Sequence, residues 1–125
     1  TKFMPLKKGR KITGGRYIKR RKKRLYELPG QRRIVKLGED KRRSKRVRGG
    51  NRKTFLLGAK TINVQLAGNK TKKTEIKNVL ETPSNRFLAR QDILTKGTIV
   101  ETELGKAKIT NRPTQEGVVN GVLVE

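Results

Sequence analysis

Thr61-Ile-Asn-Val-Gln-Leu66 alternates apolar and polar residues without interruption, which puts Ile62, Val64 and Leu66 on one face of an extended chain. Ala67-Gly-Asn-Lys70 then turns the chain back into Thr71 to Leu80, a hairpin pattern. The same grammar continues to the end. Ser84 is placed to cap a short helix through Phe87, Leu88 and Arg90. Ile93-Leu94 is followed by a turn at Lys96-Gly97 and a strand over Thr98 to Leu104. Lys106 to Thr110 alternates again, and Gly117 to Val124 is a last strand with Gly121 as a bulge or bend. Short strands separated by Gly- and Asn-rich turns predict a mainly β fold, a small β-barrel-like domain whose closure would remove exposed edges.

Upstream of Phe55 the character changes. Arg32 to Gly38 reads as a short strand. Lys41-Arg-Arg-Ser-Lys-Arg46 is a basic cluster, and Gly49-Gly50-Asn51 marks a turn in a basic loop leading into Thr54-Phe-Leu-Leu57. Before that, residues 1–31 hold Leu25, Leu28, Tyr17 and Tyr26 with no shared periodicity that would bury them together. Lys19 to Tyr26 is expected to form a helical turn or two once its charge is neutralised, stopped by Pro29-Gly30. The expected organisation is a basic, extended arm over 1–31 and a β-barrel-like domain over 32–125 that includes the basic 41–53 loop.

The charge follows the same division. The chain carries 34 Lys and Arg against 10 Asp and Glu, a formal net charge of +24. Residues 1–54 hold 23 of the basic residues and 3 of the acidic ones. A segment such as Lys7 to Arg24, with no acidic residue and three glycines, has little to bury and much like charge to separate. It gains order where a partner supplies negative charge, and nucleic acid is the polyanion of closest charge spacing.

Several functions are disfavoured by what is missing. There is no cysteine and no histidine, which removes thiolate sites, the commonest metal ligand and the commonest general base. No apolar run approaches the roughly 20 residues of a membrane span, and Thr1 to Lys7 lacks the apolar core of a signal peptide. The expectation is a soluble protein that stays where it is made, with no cofactor, no metal, no small-molecule substrate and no catalytic residue. A Walker-type phosphate loop is absent. Glu101 and Glu103 have nothing nearby to tune them for acid–base work, and Lys106 and Lys108 read as a solvated strand face that these glutamates could meet across a hairpin.

The residues expected to meet nucleic acid fall in two groups. In the arm they are Lys7, Lys8, Arg10, Lys11, Arg16, Lys19, Arg20, Arg21, Lys22, Lys23 and Arg24, with Gly14-Gly15 letting the backbone approach a phosphate. In the loop they are Arg42, Arg43, Arg46, Arg48, Arg52 and Lys53, with Asn51 able to hydrogen-bond a base or a 2′-hydroxyl. Tyr17 and Tyr26 are candidates for stacking on bases or for covering the barrel.

Arg10-Lys-Ile-Thr-Gly-Gly-Arg16, Arg46-Val-Arg-Gly-Gly-Asn-Arg-Lys53, Thr95-Lys-Gly97, Thr102-Glu-Leu-Gly105 and the terminal Gly117 to Glu125 resemble the archaeal and eukaryotic small-subunit ribosomal protein family numbered "eight-e". The resemblance runs through essentially the whole chain, in order and at the compact archaeal length. It implies a β-barrel-like domain with a basic extension embedded in small-subunit ribosomal RNA, neighbouring ribosomal proteins, a cytoplasmic location in the ribosome and a structural role. Two other classes share the charge. An architectural DNA-binding protein would need a recognition helix or an intercalating wedge, and a membrane-surface protein would need an apolar stripe that the arm lacks.

Overall fold

The computed structural model describes residues 9–17 and 21–124. The chain divides into two units, Thr1–Gln31 and Arg32–Glu125. The second unit contains strands β1 (Lys36–Leu37), β2 (Lys41–Arg46), β3 (Arg52–Ala59), β4 (Thr61–Gln65) and β5 (Thr71–Glu81). A one-turn helix α1 (Arg86–Ala89) follows, then β6 (Ile99–Thr102), β7 (Gly105–Ile109) and β8 (Asn120–Leu123). Strands β4 to β8 form a closed five-stranded barrel, and β1-β3-β2 form a separate three-stranded sheet.

The alternation in the sequence is what fills the barrel. Ile62 and Val64 point inward from β4, Ile76 and Val79 from β5, Val100 from β6, and Ala107 and Ile109 from β7, all in one buried cluster. Thr61 and Asn63 are only partly buried and Lys106 and Lys108 are exposed, so the opposite face of these strands is the outer one. The first and last strands close the barrel in parallel, with Val64 opposite Gly121. Strand β5 bends around the barrel through two register shifts, between Ile76 and Asn78 and between Val79 and Glu81.

Gly121 differs from the sequence reading. The pairing runs through it on both sides without a shift, so it is neither bulge nor bend. A Cβ there would lie 2.9 Å from Ile62 Cδ1 and 3.0 Å from the Lys108 carbonyl, so glycine lets neighbouring strands and the core approach. The cap of α1 also differs. Asn85, not Ser84, immediately precedes the helix, and its Oδ1 accepts from the Phe87 N–H at 3.0 Å. The strand expected over Thr98 to Leu104 stops at Thr102, whose hydroxyl donates to the Gly105 carbonyl at 2.8 Å and closes the turn. Glu103 thus falls in that turn, and Glu101 alone sits opposite Lys106.

The strand expected over Arg32 to Gly38 shortens to Lys36–Leu37. It still anchors the sheet, because Leu37 N–H donates to the Asp92 carbonyl at 2.8 Å and Leu94 N–H to the Val35 carbonyl at 2.9 Å. Val35, Leu56 and Leu94 bury against the barrel core. Asp40 makes a second tie. Its carboxylate accepts from Lys60 N–H at 2.7 Å and Thr61 Oγ1 at 3.1 Å, joining the start of β2 to the start of β4. The Lys60 N–H above all holds the Asp40 pKa below the ordinary aspartate value; burial opposes it, and the Thr61 donors and the nearby Arg42 charge add lesser lowering.

Candidate nucleic-acid interface

The basic segment expected to be a loop over 41–53 is a two-stranded ribbon. Strands β2 and β3 pair antiparallel, and Val47 N–H donates to the Asn51 carbonyl at 2.8 Å to close the turn. Gly49 and Gly50 have φ of 76° and 79°, values that glycine reaches without strain and that a tight reversal requires here. The β2 half of this ribbon was hidden in the sequence because Lys41 to Arg46 has no apolar alternation. All six of its residues are exposed, so burial left no periodic mark.

The register decides what the ribbon presents. Arg46 faces Arg52, Ser44 faces Thr54 and Arg42 faces Leu56 on one side; Lys45 faces Lys53 and Arg43 faces Phe55 on the other. At the base, Leu56 enters the barrel core, and Phe55 is covered by the Arg33 guanidinium, 3.8 Å from the ring centroid. Toward the tip, Arg46, Arg52, Lys45 and Lys53 are all exposed. The ion pairs among the described residues are Arg21–Glu27 and Lys60–Glu75, and neither reaches the ribbon. Like charges directly opposite in a ladder destabilise it, by a few tenths of a kcal/mol per exposed pair on the order of the known cross-strand effects.

The first unit repeats this arrangement on a smaller scale. Arg10 and Arg16 form an antiparallel bridge around a turn in which Gly14 has φ 80°. Lys11 N–H donates to Gly15 O at 2.9 Å, and Arg10 Nη1 to Gly14 O at 3.2 Å. Farther on, the stretch read as helical over Lys19 to Tyr26 has, among its described residues, only the start of a 3₁₀ turn, Leu25–Glu27, which runs one residue past its end. The Glu27 carboxylate takes Arg21 Nη2 at 2.6 Å and the Arg24 N–H at 2.8 Å, and these two donors, in that order, lower its pKa. Lys11, Arg16, Lys22 and Lys23 are exposed with the rest of the described arm, as are Tyr17 and Tyr26. Lys7, Lys8, Lys19 and Arg20 lie outside the described residues.

In both motifs two arginines six residues apart, Arg10 and Arg16 or Arg46 and Arg52, face each other across a turn containing Gly-Gly. Sequence reasoning named all four but missed their pairing, together with Lys45 and the Arg33 stack. The usable signal was equal spacing of like charge around Gly-Gly. No group of three or more acidic residues able to hold a metal occurs among the described residues, and no helix there is long and apolar enough to cross a membrane.

The family model described as ribosomal protein S8e matches residues 6–124. The chain belongs to the ribosomal protein S8e family. Among S8e relatives, the small ribosomal subunit protein eS8 of Nanoarchaeum equitans is 51% identical over 117 residues, covering 93% of this chain and 92% of the relative. Proteins of the same name from Sulfolobus acidocaldarius and Methanosarcina barkeri are 48% and 42% identical over 117 residues, covering 92% and 93% of this chain and 91% and 94% of theirs. This S8e chain therefore matches its relatives over nearly their full length, and the motifs holding the paired arginines lie inside the matched region.

Proposed function

We propose that this S8e chain is a structural component of the small ribosomal subunit that binds ribosomal RNA by neutralising phosphates, working in the cytoplasm within the ribosome and carrying out no catalysis. The observation that carries this reading is the ribbon. It has exposed cations at matching positions on both strands and, among the described residues, no carboxylate ion-paired to them, an arrangement that a polyanion relieves. The relatives' names point the same way. The barrel supplies a rigid base, and the arm of residues 1–31 supplies further cations: Lys7, Lys8, Arg10, Lys11, Arg16 and the run Lys19 to Arg24. Neighbouring ribosomal proteins complete its surroundings.

A salt titration of full-chain binding to small-subunit ribosomal RNA tests it. If about 10 phosphates are neutralised, log K against log salt falls with a slope near −7 to −9. A nearly flat titration contradicts the mechanism. Competition by duplex DNA that matches the ribosomal RNA would favour the architectural DNA-binding alternative instead.

A further inference from the structure

We propose that the β2–β3 ribbon is a two-sided bridge, with two separate RNA backbone segments passing on its opposite faces. This rests on the RNA-binding reading above and adds the geometry of the partner. In an antiparallel pair, residues directly opposite share a face, and successive pairs alternate faces. The pair Arg46 and Arg52 therefore projects to one side, and the adjacent pair Lys45 and Lys53 to the other. The four side chains are exposed, and Arg42 and Arg43 extend the two rows toward the base.

A plain recognition strand would bury or leave neutral the face turned away from its ligand. Here both faces carry like charges in register. A single backbone laid along one face leaves the other pair repelling itself with a layer of protein between it and the phosphates. Two backbones, whether the two walls of a groove or two neighbouring helices, neutralise both. The turn suits such insertion, because Gly49 and Gly50 keep the tip narrow beyond the Ser44–Thr54 pair, the level at which this face still lies against Gly117. Among the described residues, no further strand pairs with the edge of β2 away from β3, so the ribbon can enter a cleft sideways.

The test uses the full chain bound to small-subunit ribosomal RNA, with backbone footprinting. The double variant Arg46→Gln, Arg52→Gln should lose protection at one RNA segment. Lys45→Gln, Lys53→Gln should lose it at a second, not contiguous with the first. Each should shallow the salt slope by about 1.4 to 1.8. Loss at one common segment from both variants, or an unchanged footprint in either, overturns the bridge while leaving RNA binding intact. A wild-type chain that gives no footprint and a flat salt titration overturns the underlying reading instead. Photocrosslinkers replacing Ser44 and Lys45 in turn give a readout that leaves the paired arginines in place. These neighbours should crosslink to separate segments, and crosslinking to the same nucleotides overturns the proposal.

Discussion

In the barrel core, Val64, Val100 and Ala107, with Leu94 packed against them, have no exposed surface, whereas every described residue from 9 to 31 is exposed. The barrel is held by apolar burial and a closed ladder that leaves no strand edge open. The described part of the arm is held by a few local hydrogen bonds and one ion pair, Arg21–Glu27, at a water-exposed site. The β2–β3 ribbon is intermediate, with Leu56 rooted in the core and its tip as exposed as the arm. On the proposed reading, stability and RNA binding reside in different residues, and substitutions should separate them.

The largest separation should come from deleting buried volume. Leu94→Ala should cost about 2–5 kcal/mol in denaturant unfolding of the free chain. Leu25→Ala, at a position 87% exposed, should leave the midpoint unchanged. Equal losses at both positions would erase the distinction. Gly58→Ala comes next, because its Cβ would sit 2.6 Å from the Glu39 carbonyl and backbone has to move; about 1–3 kcal/mol should be lost.

The reverse case is Arg10→Gln with Arg16→Gln. Its thermal midpoint should stay within error of wild type while the salt slope for ribosomal RNA shallows by about 1.4 to 1.8. A lowered midpoint with an unchanged slope would make these arginines structural.

The smallest effect concerns acid. The Asp40 pKa is depressed by the hydrogen bonds at the ribbon base, so its stabilisation is complete above the ordinary value of 3.8 and is lost as pH falls through the lower folded value. Because Asp40 is exposed, Asp40→Ala should cost under about 1 kcal/mol at neutral pH. The gap between the two proteins should close as pH drops below 3.8. A gap that widens in acid would reverse the assigned sign.

How much of this was legible in the sequence depended on burial. Ile62, Val64, Ala107 and Ile109 alternate because one face of their strands is inside, so the β4–β5 hairpin and the strand at β7 could be read directly. Strand β2 could not be, since a strand exposed on both faces has no apolar period. Gly121 was noticed, but its role depends on Ile62 and Lys108, which are far away in sequence. At the interface, residue type revealed which side chains carry charge. The face each one occupies depends on register, which a basic run does not encode.

If RNA binds as proposed, the barrel owes its order to its own core, whereas the described arm and the ribbon tip, held only by local hydrogen bonds, tighten on binding. Hydrogen–deuterium exchange of the full chain, free and bound to small-subunit ribosomal RNA, tests it most directly. Amides of β4 to β8 should be protected in both states, and those of Lys11, Gly14 and Val47 should become protected on binding. Arm amides already as slow to exchange as the barrel's in the free protein would contradict it.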